Sequence, residues 1–162
     1  MVAIFAWIES NTGSETETTP TNLNFGSTDA KDLVALTYPI TAGTWSYEKY
    51  IKADFSGTFN IIDNIQFWKS AGAYVSEETI DWDGEIALAS FAAPVATESI
   101  VATTVLPVAD PGTANVSIGG SLSGTLTAAG TSDYIVMQVA VGSGAAAGAT
   151  NQKTFTLQYD EV

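Results

Sequence analysis

An all-β fold, an antiparallel β-sandwich with the jelly roll as one form of it, follows from three features of this 162-residue chain. Apolar and polar residues alternate with period two over several stretches. Glycine-bearing turn signals separate those stretches. The strands so marked number about eight or nine and recur every ~8 to 15 residues, the rhythm of sandwiches. The length suits a single domain, taken as 1–162, with a sizeable core.

The elements can be justified in chain order. Met1 to Ile8 is apolar throughout, lacks a basic flank, contains Trp7 and runs into Glu9, so a buried strand is predicted there rather than a secretory leader. Its two faces, Val2, Ile4, Ala6 and Ile8 against Ala3, Phe5 and Trp7, are both apolar. Such a strand is either central or has one face covered by another chain, because edge strands need protection. Glu9 to Pro20 is rich in Ser, Thr, Asn and Glu and is expected to be a linker-like loop. From Ser46 to Phe55, Tyr47, Ile51 and Phe55 alternate with Glu48, Lys52 and Asp54, which predicts a strand with one wet face. Ile61 to Trp68 is a further strand, apolar on both faces at its ends.

Glu85 to Ala93 fits a helix or a strand, and its residues alone do not choose. Gly119-Gly120 between Val116-Ser117-Ile118 and Ser121-Leu122-Ser123 predicts a two-residue hairpin turn. Asp110-Pro111-Gly112, Ala42-Gly43, Ser56-Gly57 and Asp83-Gly84 mark other breaks. Near the C-terminus, Ile135, Met137, Val139 and Val141 form one face of a strand opposite Tyr134, Val136, Gln138 and Ala140. Lys153, Phe155, Leu157 and Tyr159 do the same in the last strand. Gly142 to Gly148 is a glycine and alanine loop between them, and small residues dominate from Ala96 to Gly148. Surfaces of that kind pack closely and have little side-chain entropy to lose, which suits an assembling protein.

Composition narrows function. Hydrophobic residues at 46% and charged residues at 14% describe a folding chain. Five lysines, no arginine and 18 acidic residues give a formal charge of −13, which opposes phosphate backbones and anionic lipid alike. Nucleic acid and membrane are therefore not expected partners. Cysteine and histidine are absent, so disulfides, thiol nucleophiles, the usual zinc sites and Ser-His or Cys-His catalysis are excluded. No cofactor is implied.

The densest acidic run is Glu77, Glu78, Asp81, Asp83 and Glu85. A calcium loop needs several oxygens converging on one point, and this run holds only a fragment of that spacing. An acidic turn at Asp83-Gly84 is expected instead, with calcium leaving the melting temperature unchanged. No two of the acids are distinguished as the acid and base of a glycoside hydrolase, so the chain is not expected to be an enzyme.

Aromatic residues are the stronger signal. Trp45, Tyr47, Tyr50, Phe67, Trp68 and Tyr74 fall close together, and aromatic rings serve both cores and contact surfaces. Tyr47, Phe55 and Phe67 are expected in the core. Trp45, beside the turn Ala42-Gly43-Thr44, is the first choice for an exposed contact, and Trp82, among acids, the second. With Phe5 and Trp7 of the terminal strand they form the candidate interface.

Thr21-Asn22-Leu23-Asn24-Phe25-Gly26-Ser27, followed by Tyr38 to Lys52 (YPITAGTWSYEKYIK), resembles accessory structural proteins of tailed bacteriophages. Ile62 to Gly72 (IDNIQFWKSAG), Ser132 to Val141 (SDYIVMQVAV) and Lys153 to Val162 (KTFTLQYDEV) are similar to the same kind of protein. The resemblance implies a virion component at the particle surface: a capsid decoration protein, a head fibre or a tail part. Its expected partners are the major capsid protein or other virion proteins, with a homo-oligomer as the expected state, and it carries over no catalytic residue. A carbohydrate- or receptor-binding module is the rival, and it requires a row of exposed aromatics such as Trp45 and Trp82.

Overall fold

A computed structural model describes residues 2–146 and 151–162. Nine strands are present among the described residues: β1 (Val2–Asn11), β2 (Thr16–Thr18), β3 (Lys49–Thr58), β4 (Ile62–Ala71), β5 (Glu78–Ile86), β6 (Thr104–Val105), β7 (Gly130–Thr131), β8 (Tyr134–Val141) and β9 (Thr154–Glu161). No α-helix occurs among them; the one helical piece is a 3-10 turn at Leu88–Ser90. Seven strands form an antiparallel sheet in the order β2-β1-β3-β8-β5-β6, with β7 also paired to β3, while β4 and β9 form a separate antiparallel pair. The chain is all-β, as the period-two alternation predicts.

The main core takes residues from both sheets. Ile51, Phe55, Ile135, Met137, Ile80 and Trp82 of the large sheet meet Ile62, Ile65 and Phe67 of β4, with Phe155, Leu157 and Tyr159 of β9 packed partly against them. Phe67 is fully buried, its ring 6.0 Å from Trp82, 5.9 Å from Trp7 and 5.8 Å from Phe155. The alternation expected in the last two long strands is thus the one observed. A Lys153–Glu78 ion pair of 2.6 Å, nearly buried, ties the segment leading into β9 to the start of β5.

The wet face expected on β3 is not wet. Glu48 and Lys52 are both buried, Glu48 under a second layer that covers the outer side of β3 and β8, and Lys52 between Glu17 and the Tyr134 ring. Tyr50, Tyr134, Val136 and Ala102 form a smaller core there with Ile86, Phe91 and Val101. Gln138 and Glu48 stitch that layer down. The Gln138 amide donates to the carbonyls of Ser46, Val95 and Thr97 and accepts from the Ser99 N–H, at 2.8 to 3.2 Å. Glu48 accepts from the Val95 N–H and the Ser99 hydroxyl at 3.2 and 2.5 Å. The buried carboxylate of Glu48 and the amide of Gln138 are therefore both partnered, which is the condition for burying them.

Glu9 to Pro20 is not a loop but the tip of a hairpin. Glu9, Ser10 and Asn11 pair with Thr18, Glu17 and Thr16. Thr12 and Glu15 take left-handed backbone angles at the bend. The polar residues that suggested a linker are tethered: Glu17 to Lys52, and Glu15 to the Tyr134 hydroxyl at 2.5 Å. Burial and then the Glu15 contact push the Tyr134 phenol pKa upward.

Asp83-Gly84 is not a turn either. Both residues lie in β5, next to a register shift between Asp83 and Ile86, and the bend comes earlier, where Glu78 N–H bonds to Val75 O and Glu77 has φ 68°. Glycine is required at 84 for space, since a Cβ there would lie 2.4 Å from the Asn115 carbonyl oxygen. The Gly119-Gly120 turn is as expected, with φ of 59° and 82° and a bridge between Ile118 and Ser121, although no long strands flank it. Positive φ at both central residues suits the turn that matches strand twist. Glu85 to Ala93 divides among the end of β5, the 3-10 turn and irregular chain. Of the loop expected from Gly142 to Gly148, Gly142 bonds to the Glu77 carbonyl at 2.8 Å, while Ala147 and Gly148 lie outside the described residues.

Candidate interaction surfaces

The first half of β1 is an open sheet edge. Residues 2–8 pair with β3 on one side, while β2 covers only Glu9 to Asn11 on the other. Ala53, opposite Trp7, turns its N–H and C=O toward Ser132, away from β1. Groups along an antiparallel ladder alternate in direction, so the odd residues Ala3, Phe5 and Trp7 face the open side with their own backbone groups. Ala3 N–H donates to Glu161 Oε1 at 3.1 Å; among the described residues Phe5 and Trp7 remain an unpaired extended template.

Side chains along this edge are apolar and uncharged from Val2 to Ile8. Val2 is 73% exposed and Ile4 61%, which corrects the expected buried strand: the second layer over β3 and β8 does not reach this end of the sheet. On the opposite face Phe5 sits edge-on to Trp7 at 5.0 Å and close to Phe55 at 5.8 Å, with Phe5 still 37% exposed. An open edge with contiguous apolar side chains is a place where a further chain can add.

Of the four candidate interface residues, the structure brings Phe5 and Trp7 together and separates the others. Trp45 is half-buried beside a shallow hollow of about 320 Å³ that it lines with Gly43, Ala140, Val141, Gly142 and Ser143. Trp82 is only 6% exposed and packs on Phe67, so its expected exposure is overturned. Its acidic neighbours misled: on β5 Asp81 and Asp83 point to one face and Trp82 to the other, the period-two consequence of a strand where a turn was expected. Of the residues expected in the core, Phe55 and Phe67 are there, and Tyr47 is half-buried.

The acidic run Glu77 to Glu85 is dispersed by the same geometry. Glu78 is held by Lys153, and Asp83 accepts the Glu85 N–H at 2.7 Å. Asp81 is half-buried, and burial followed by the charge of Glu98 raises its carboxyl pKa. A second hollow, about 300 Å³, is lined by Glu48, Tyr50, Val95, Ile100 and Val101 among others, and the Glu48 carboxylate there is already occupied by Val95 and Ser99.

A buried polar cluster was missed at the sequence level. Glu9 is 0% exposed and Lys49 1%, with Lys49 Nζ 2.5 Å from Glu9 Oε1, and Asn11 beside them is 7% exposed. Its signal was present in the alternation: Lys49 shares a face with Ile51 and Phe55, and Glu9 shares one with Phe5 and Trp7. A charge at a core-facing position calls for a buried partner.

No protein-family model, curated protein or solved structure matches this chain.

Proposed function

We propose that this chain is a non-enzymatic structural protein of a virus particle, a capsid decoration or cement protein that stabilises the shell by protein–protein packing. In this proposal residues 1–162 form one antiparallel β-sandwich domain of jelly-roll type, and the protein sits on the particle surface against the major capsid protein, as a homo-oligomer. The observation that carries it is the open, uncharged edge of β1, where exposed Val2 and Ile4 and the unpaired backbone of Phe5 and Trp7 offer a ready surface to a neighbouring subunit. The resemblance of its sequence motifs to phage accessory proteins, an expectation from the sequence, fits such a surface, and so does a strongly acidic character, which favours solubility at high copy number. A stable interface of this kind would bury about 1,600 Å² in total.

The test measures solution mass by light scattering and then binding to capsid shells stripped of accessory proteins. A stable oligomer, or a monomer that rebinds shells stoichiometrically, is expected, with binding lost in Ile4→Lys, which charges the edge without touching the core. A strict monomer without affinity for any shell would overturn the proposal. A tail or adaptor part of the same particle would bind tails in place of shells. Half-buried Trp45 beside its hollow favours, as second reading, a carbohydrate- or receptor-binding module, although Trp82 cannot join it in an exposed row. That reading predicts glycan binding abolished by Trp45→Ala.

A further inference from the structure

Glu9, Asn11 and Lys49 lie on the core-facing side of β1 and β3. The register that sets Ser10 against Tyr50 brings Asn11 opposite Lys49 at the next position. One oxygen, Glu9 Oε1, accepts from both nitrogens, Lys49 Nζ at 2.5 Å and Asn11 Nδ2 at 2.9 Å. The Asn11 amide is held a second time by Asp29 Oδ1 at 2.8 Å, and Nζ a second time by the Ala30 carbonyl at 2.7 Å. Glu9 Oε2 is buried and has no hydrogen-bond partner among the described residues. A carboxylate with one orphaned oxygen in a dry site is costly as a purely structural device.

From this geometry we infer that the chain forms an intramolecular isopeptide bond between Lys49 and Asn11, with Glu9 as the proton carrier. Nucleophilic attack needs the free amine, and of the two acceptors that hold Nζ, the Glu9 carboxylate and the Ala30 carbonyl, only the carboxylate is basic enough to take its proton. The Nζ lone pair then adds to Cγ of Asn11 and the carbonyl electrons move onto Oδ1. Glu9 gives that proton to Nδ2, the Cγ–Nδ2 bond breaks and the carbonyl re-forms, and Glu9 then carries the remaining surplus proton of Nζ to the departing ammonia. In sum the ammonium of Lys49 becomes an amide, the nitrogen of Asn11 leaves as ammonium, and Glu9 ends as the carboxylate it began. No oxidant, reductant or added reagent is needed. With both nitrogens on one carboxylate oxygen, amine and amide are held side by side in a water-poor site, the kind of positioning that speeds intramolecular reactions.

The product is a covalent rung between neighbouring strands that closes the loop of chain from 11 to 49, so β1 stays tied to β3 in denaturant. This linkage stands on the side chains around Glu9 and not on any role in a particle, so the two can fail separately. The decisive experiment is the intact mass of the folded full chain, followed by peptide mapping after denaturation and proteolysis. The expected mass is lower than that of the sequence by one ammonia, with the peptides carrying Asn11 and Lys49 joined. Glu9→Gln and Lys49→Met are expected to restore the full mass, and Asn11→Asp to lose water in place of ammonia. The full sequence mass after prolonged incubation of the natural chain at neutral pH would overturn the inference. So would loss of ammonia without a joined peptide, the mark of an internal succinimide. Because both refuting results are read on the natural chain, a variant that fails to fold leaves the test intact.

Discussion

Replacing Gln138 with alanine probes the layer that covers β3 and β8. The Gln138 side chain is 1% exposed and joins three carbonyls and one N–H from two separate segments, Ser46 on one side and Val95, Thr97 and Ser99 on the other. Ser46 and Ser99 are themselves buried, at 0% and 7% exposure, so the Ser46 carbonyl and the Ser99 N–H lose a partner where solvent does not reach. At about 1–3 kcal/mol for each buried group left unpaired, the two together predict a loss of about 2–6 kcal/mol. Urea unfolding at neutral pH, followed by tryptophan fluorescence, would read this as a lower midpoint with an unchanged slope. Hydrogen exchange at the Ser99 amide should accelerate in parallel, since the segment it belongs to is held down by that side chain. A loss below about 0.5 kcal/mol, the size of an ordinary surface substitution, would refute the idea that Gln138 holds the layer in place.

Two further predictions concern pH. Asp81 has a raised pKa from burial and from Glu98, so its folded value lies above the unfolded one and its contribution to stability falls as pH rises from the ordinary carboxylate range through the raised value. Asp81→Asn should therefore raise the urea midpoint at neutral pH, with the gain vanishing below about pH 3, where the acid is protonated in both states; an unchanged midpoint at neutral pH would contradict this. The Tyr50 phenol is pushed up to about 12, first by burial and then by Glu48. The folded state keeps a proton that the unfolded state releases near the ordinary value of about 10, so stability should fall as pH rises through that interval. Ultraviolet titration should show Tyr50 ionising only as the fold is lost, and its ionisation near 10 in the intact protein would count against the burial argument.

Much of the fold was legible because period two survives in the long strands. Ile135, Met137 and Val139 face the main core as their alternation requires, and so do Phe155, Leu157 and Tyr159. The same alternation was insufficient for Glu48, Lys52 and Gln138. Polar residues every second position predict solvent, and whether solvent is there depends on distant segments folding back over them: residues 95–99 over Glu48 and Gln138, and Glu17 over Lys52. The Glu9 to Pro20 stretch failed for a related reason: its composition is that of a linker, and its pairing is fixed by Lys52 and Tyr134 reaching across from β3 and β8.

Sequence by itself determined the class: an acidic chain without cysteine or histidine, built of alternating strands, whose chemistry must come from packing, carboxylates and amines. Those properties are local or additive, so they survive without knowledge of the neighbours. Tertiary structure alone decided which faces are dry, which strand edge is open and which charges meet. It buried Trp82, exposed Val2 and Ile4, and set Lys49 and Asn11 on one oxygen of Glu9. Each of these outcomes depends on contacts between residues distant in the chain, and the distances between such residues are set by the packing of whole strands, which no local pattern encodes.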